Sequence, residues 1–228
     1  MRMAARYYTL VASLPALEYF ERAKTIPINR VRLEQRLAML TPEDAAERRR
    51  CEQLIAWRMH RVQAKATGIE ELYDELRATS RHPSVLEYVE DRLRMRTVIS
   101  ALRARRFGTA IADLERPWGL GPFVSVIERR WEVPDFGLAT AHPWVSHFRG
   151  CIAREDAREL GRAVFEREWR ILSRIADAHP FGFPEVLSYV MRRDIVARWL
   201  VRDGAAAVRR FVTLTEEAFD ERARLRFD

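Results

Sequence analysis

The five histidines are the side chains best suited to acid–base or metal chemistry near neutral pH, but their positions do not group them into a site. His82, His142 and His179 each precede a proline, which favours extended backbone at the boundary of an element. One set of metal-ligating side chains, His142, His147 and Cys151, is close in sequence. His142 and His147 are five positions apart, however, whereas ligands on one helix face are usually four apart. We therefore expect satisfied turn histidines and no metal site.

Signatures of nucleotide binding and of hydrolase chemistry are missing from the sequence. It has no G-x-x-x-x-G-K-[ST] loop, no G-x-G-x-x-G turn and no G-x-S-x-G elbow. Many carboxylates stand at helical spacing from arginines, as Glu90 does from Arg94, which is typical of solvated ion pairs. We therefore predict that the protein is not an enzyme and has no cofactor or small-molecule substrate.

Arginine gives the strongest compositional signal. The chain has 228 residues, with 40 basic and 33 acidic side chains and a net charge of +7, and only Lys24 and Lys65 are lysines. On a helix predicted over 84–106, four arginines fall near one flank at 100° per residue. They are Arg92, Arg96, Arg103 and Arg106. These residues form either an ordinary charged face or a contact face for an acidic protein, a phosphate group or anionic lipid.

The most distinctive segment of the sequence is rich in aromatic residues and bounded by prolines. It holds Trp131, Phe136 and Trp144, whose side chains each bury about 150–250 Å² when packed. One explanation is core packing beneath a long connection, and the other is a ridge that docks a partner. We take the three aromatic residues, with the four arginines, as candidate partner-binding residues.

Apolar residues recur mostly at helical spacing, and strict alternation is almost absent, so we predict an all-α multi-helix bundle with at most a minor N-terminal strand. Residues 7–14 read as a buried strand or a short helix. Thr41-Pro42 marks a helix start, and Ser84-x-x-Glu87 reads as a capping box. The predicted helices are 27–40, 41–68, 69–78, 84–106, 122–131, 153–178, 184–202 and 205–224. No run of 18 apolar residues occurs, so no membrane-spanning helix is expected.

The chain is predicted to be a single all-helical domain over 1–228, and it contains a weak internal sequence repeat, called here the internal echo. Residues 83–89 (PSVLEYV) and 184–190 (PEVLSYV) agree at five of seven positions. Chance similarity between two proline-started helices is one explanation. The other is a duplicated helical module, 41–108 and 151–222, joined by the Trp/Pro-rich connection 109–150.

Several segments of the sequence together carry a family resemblance, and the opening YYTLVASLP at 7–15 is the most specific of them. The others are DRLRMR at 91–96, LRA at 102–104, Trp131 with PDFGL at 134–138, HPFGF at 179–183, and YV at 189–190 with DIVARW at 194–199. With these segments the chain resembles an uncharacterised bacterial family encoded in V-type (V/A-type) ATPase operons, in the place of the C-type subunit, whose eukaryotic counterpart is the d-type subunit.

That resemblance implies a non-catalytic rotor component, an all-helical socket that holds the central stalk on the membrane proteolipid ring. The implied partners are the stalk proteins and the ring, and the implied location is cytoplasmic, peripheral on the inner membrane. The alternative from composition is a basic helical adaptor for nucleic acid or an acidic protein. Nucleic acid is disfavoured because acidic residues are interspersed and no recognition-helix, RRM or zinc-finger pattern occurs.

Overall fold

The computed structural model describes residues 7–56 and 68–202. Within these ranges the secondary structure is helical and contains no strand, which confirms the predicted all-α bundle. The helices are α1 (Tyr8–Ser13), α2 (Arg30–Leu37), α3 (Pro42–Ala56), α4 (Ile69–Thr79), α5 (Pro83–Arg106), α6 (Phe123–Arg129), α7 (Trp144–Ala153), α8 (Ala157–Ala178) and α9 (183–202), with a 3₁₀ turn at Ile111–Asp113. The predicted helix over 205–224, and residues 57–67 of the one predicted over 41–68, lie outside the described residues.

Helix α5 is the centre of the bundle, in contact with α3, α6, α7 and α8. Its apolar side chains recur at helical spacing and face the core, where Val89 and Leu93 are at most 1% exposed. Burying side chains of this size contributes roughly 1.5–3 kcal/mol each, so the packing of α5 is a main source of stability. Among the described residues, no helix combines the length and the apolar character needed to cross a bilayer.

Two predicted helix starts have different outcomes. At α3 the hydroxyl of Thr41 accepts a hydrogen bond from the Asp44 backbone N–H at 3.3 Å, which confirms the predicted cap. The capping box at Ser84 is wrong, because α5 begins at Pro83 and its N-cap is His82. A proline favours the first helical position, so Ser84 falls inside the first turn, where its hydroxyl is buried without a hydrogen-bond partner.

Of the two structures expected for residues 7–14, a buried strand or a short helix, the short helix is observed. Leu10 of this helix is buried in the core, with 1% of its surface exposed. The backbone N–H of Tyr7 donates to the carbonyl of Phe181 at 2.9 Å. This bond joins the start of the described chain to the connection between α8 and α9.

The connection 109–150 contains one helix more than predicted. We expected only a helix near 122–131, which is α6, and packed loops elsewhere, but α7 begins at Trp144. Its buried residues Val145, Phe148 and Ile152 recur at helical spacing, a signal masked by the prolines before the helix and by Gly150 within it. The helix predicted from 153 begins only at Ala157, because Asp156 accepts a hydrogen bond from the Glu159 N–H and caps α8 there.

Both copies of the internal echo begin a helix, as predicted. Helix α5 begins at Pro83 and α9 at residue 183. Helix starts alone do not distinguish duplication from chance, so the two-module division into 41–108 and 151–222 stays a prediction.

Candidate functional site

Helices α5, α8 and α9 enclose a solvent-open groove of about 800 Å³. Its floor comes from α8, where Leu160, Val164 and Phe165 repeat at helical spacing and are 5–7% exposed. Five arginines line the groove together with this apolar floor. They are Arg92, Arg96 and Arg103 from α5, and Arg198 and Arg202 from α9.

Arg92 is held in the interior and belongs to the groove wall. Its Nε lies 2.8 Å from Oε1 of Glu168, which is fully buried, and the two atoms make an ion pair without the alignment of a hydrogen bond. The Nη2 of Arg198 lies 3.7 Å from the other carboxylate oxygen. Burial and the charge of Glu168 also raise the pKa of the Tyr88 phenol well above its ordinary value. This burial corrects the sequence interpretation of Arg92 as a residue of an outer contact face.

The other three predicted arginines have different environments. Arg96 donates from Nη1 to the Ile55 carbonyl at 3.0 Å, and so joins α5 to the last turn of α3. Arg106 donates to the Ile152 carbonyl and to Glu155, beyond the end of α7, and does not line the groove. Arg103 is exposed at the groove, and the structure records no ion pair for it within the described ranges. The predicted single face is therefore divided among structural and exposed side chains.

Two groove arginines, Arg198 and Arg202, were missed by sequence reasoning. Their guanidinium carbons lie 5.0 and 5.8 Å from the ring centroid of Phe165, within cation–π range. Arg202 also donates to the Ala157 carbonyl at 3.0 Å. Its guanidinium lies where a Cβ on Gly161 would be, so the glycine permits this close approach to α8. The i, i+4 spacing of Arg198 and Arg202 indicated that they share one helix face, but only tertiary packing places that face beside α5.

The aromatic segment packs internally. Phe136 is fully buried, stacks on Trp131 at 5.8 Å between centroids, and has the Arg105 guanidinium 5.3 Å from its centroid. Trp144 is half-buried against Phe148, with ring centroids 5.0 Å apart. Burial corrects the docking interpretation for Phe136, which can only serve packing. A docking role for the half-buried Trp131 and Trp144 stays a prediction.

The candidate set His142, His147 and Cys151 is only partly brought together. His147 Nε2 lies 3.8 Å from Cys151 Sγ and 3.3 Å from Glu159 Oε1, whereas His142 packs its ring on Phe123. One nitrogen of His147 thus faces both neighbours, which is not the relay geometry of a nucleophilic triad. Burial raises the pKa of the Cys151 thiol, so it stays protonated and weakly nucleophilic at neutral pH.

A second polar cluster, which sequence reasoning also missed, joins Asp44 and Glu47 of α3 to His82 before α5. Their nearest ligand atoms lie within 4.8 Å of one another, and all three side chains are at least nine-tenths buried. The phenol of Tyr7 donates to Asp44, and the hydroxyl of Ser80 donates to Glu47 at 2.6 Å. The i, i+3 carboxylates were a visible signal, but His82 is 38 residues from Asp44.

The groove is suited to binding and less suited to catalysis. Its lining among the described residues combines apolar side chains, two hydroxyls and arginines, without a histidine, cysteine or carboxylate. Guanidinium groups beside an apolar floor favour a ligand with one apolar face and carboxylate or phosphate groups along its edges. Comparisons with protein-family models, curated proteins and solved structures gave no match.

Proposed function

We propose that this chain is a non-catalytic component of a V/A-type rotary ATPase, similar to its C-type (eukaryotic d-type) subunit, which couples the central stalk to the membrane proteolipid ring. It would act on the cytoplasmic face of the inner membrane. The segments that resemble the ATPase-associated family, from YYTLVASLP onward, supply the identity of the complex. The observation that carries a partner-binding role is the arginine-lined groove between α5, α8 and α9.

The groove is proposed to receive an acidic amphipathic helix of a stalk protein. Charge complementarity supports this occupant, because five arginines border the apolar floor and the acidic partner recorded for them in the described part of the chain is one buried carboxylate, Glu168, which contacts Arg92 and Arg198. Val201 adds an exposed apolar side chain, 73% accessible, to the same lining. Apolar anchors would provide most of the affinity, while the arginines would set orientation and salt sensitivity.

A protein that couples stalk to ring must also be stiff, and cross-helix ion pairs around α5 support that requirement. Arg167 of α8 forms a bidentate pair with Asp91 of α5, with N–O distances of 3.0 and 2.6 Å. Arg92 and Glu168 form a second link between the same two helices. These links resist sliding of one helix past the other under load.

Co-purification tests the proposal. The tagged chain should recover stalk and ring proteins from detergent extracts, identified by mass spectrometry. Arg103→Glu, at an exposed groove position, should reduce that recovery at least tenfold, because it reverses charge where the partner is acidic. Arg174→Glu, an exposed change on α8 that is not at the groove, is the matched control. Intact, active ATPase complexes that lack this chain would refute the proposal.

The second candidate is a basic helical adaptor for nucleic acid or another acidic protein, favoured by the +7 net charge. Oligonucleotide binding through six or more phosphates should weaken about 10³-fold between 50 and 200 mM salt. Such binding, with no recovery of ATPase components, would select the nucleic-acid form of the adaptor. Recovery of an acidic protein from outside the ATPase would select the other form.

A further inference from the structure

The cluster of Asp44, Glu47 and His82 has a metal-ligating composition. Asp44 and Glu47 lie one helical turn apart on α3, so both carboxylates project from the same side of that helix. The Nε2 of His82 faces Asp44 Oδ1 at 3.5 Å from the connection before α5. The three side chains thus offer two oxygens and one imidazole nitrogen within 4.8 Å of one another.

Among the described residues, no lysine or arginine forms an ion pair with the two carboxylates of this cluster. Asp44, Glu47 and Glu168 are the buried carboxylates of the described chain. Glu168 is paired with two arginines, but the structure records no arginine or lysine paired with Asp44 or Glu47 in the described ranges. With neutral His82 the buried cluster has a formal charge of −2, and with protonated His82 it has −1. Buried net charge is costly unless a counter-ion compensates it.

Neighbouring groups would position the ligands. Tyr7 donates from its phenol to Asp44 Oδ2, and Ser80 donates to Glu47 Oε1, which leaves other carboxylate lone pairs for an ion. The ring of His82 packs on Phe183, with centroids 4.9 Å apart, which holds the imidazole in place. Arg81 and Pro83 on either side of His82 are exposed, so the cluster lies close to the protein surface.

We infer that Asp44, Glu47 and His82 bind one divalent transition-metal ion, with Zn²⁺ as the first candidate. Two carboxylates and a neutral imidazole neutralise a dication, and the imidazole favours Zn²⁺ over Mg²⁺ or Ca²⁺. The ion would join α3 to the start of α5 and, through Tyr7, to the N-terminal segment. This inference does not depend on the proposed function.

Metal titration of the chelator-stripped, full-length chain tests the site. Zn²⁺ should bind at one ion per chain with a Kd of about 1 μM or tighter, and should raise the melting temperature. Glu47→Gln and His82→Asn should each raise the Kd at least tenfold. Glu52→Gln, a charge removal on the same helix outside the cluster, and His147→Gln, beside Cys151, should leave the Kd within about twofold.

A spectroscopic measurement on the wild-type chain keeps the test decisive if a cluster variant does not fold. Co²⁺ in place of Zn²⁺ should give ligand-field absorption without a thiolate charge-transfer band, because the ligands are oxygen and nitrogen. A thiolate band would place the ion at a cysteine and overturn the inference. Absence of Zn²⁺ binding up to about 100 μM, or unchanged affinity in both cluster variants, would also overturn it.

Discussion

Arg92 of α5 and Glu168 of α8 face each other in the interior, with Arg92 Nε 2.8 Å from Glu168 Oε1 and side-chain exposures of 8% and 0%. A buried pair of this kind gains strong Coulomb attraction, but loses the hydration of both ions. Its net contribution to stability is therefore small compared with the damage done by removing one partner. The same pair fixes one wall of the groove, since Arg92 lines it.

Glu168→Gln should lower the free energy of unfolding by about 3–5 kcal/mol, because it leaves the buried Arg92 without its carboxylate. Urea or guanidinium unfolding, followed by circular dichroism, measures the change. Glu166→Gln is the matched control on the same helix, where the carboxylate is 35% exposed and pairs with Arg170. The control should cost less than about 1 kcal/mol.

The double variant Arg92→Met with Glu168→Leu separates charge from volume. Both buried charges are then replaced by apolar side chains, so most of the stability lost in Glu168→Gln should return. A double variant that is as unstable as Glu168→Gln would contradict this prediction. The lost stability would then come from packing around the pair, or from the contact of Glu168 with Arg198 at 3.7 Å.

Gly119→Ala should destabilise the connection before α6 by about 1–3 kcal/mol. A Cβ at this position would lie 2.6 Å from Thr97 Cγ2, and Thr97 is buried and hydrogen-bonded through its hydroxyl to both the N–H and the carbonyl of Leu120 at 3.0 Å. The threonine therefore cannot move aside cheaply. Gly68→Ala, at the N-cap of α4, where a Cβ meets nothing within 4 Å, should cost less than Gly119→Ala in the same thermal unfolding measurement.

Arg96→Gln and Arg103→Gln should differ in stability although both residues line the groove. The first loses the hydrogen bond to the Ile55 carbonyl and should cost about 1 kcal/mol, whereas the second removes an exposed side chain and should cost less than about 0.5 kcal/mol. Chemical unfolding of the two variants side by side measures the difference. Equal losses would mean that Arg103 has a structural role comparable with that of Arg96.

His142 should make stability depend on pH below its ordinary pKa of 6.5. Burial first, and then the positive charges of Arg167 and Arg94, lower its pKa below the ordinary 6.5 in the folded state. Between the folded and the unfolded pKa of His142, the unfolded chain therefore binds more protons than the folded chain. The free energy of unfolding accordingly falls as pH decreases below 6.5, and this fall ends below the folded pKa. His142→Gln should flatten this part of the stability–pH curve. An unchanged curve in the variant would contradict the assignment.

The two cysteines should be unreactive in the folded protein. Cys51 and Cys151 are fully buried, and burial raises the pKa of both thiols, so the thiolate is scarce at neutral pH. Ellman's reagent should label both thiols quickly in denaturant and slowly in buffer. His147, which contacts Cys151, is exposed, so the thiol lies just beneath the surface of α7. Fast labelling of Cys151 in buffer would therefore contradict the prediction and indicate that this part of α7 opens readily.

The helical fold was predictable from the sequence because its signals are local. The Thr41-Pro42 start and the helical spacing of apolar residues act within a few residues, and the structure confirms both. The failures were local as well. Proline in the first helical position placed the start of α5 ahead of Ser84, and the prolines before Trp144 hid the periodicity of α7.

The sites were far less predictable, because they depend on which helices meet. Sequence alone determined an arginine-rich, all-α chain, and it singled out Arg96 and Arg103, which line the groove. It could not determine that Arg92 turns inward to Glu168, 76 positions away, or that Asp44 meets His82. A side chain's exposure and its ion-pair partner are set by packing between distant segments, and helical periodicity fixes only the direction in which each side chain leaves its own helix.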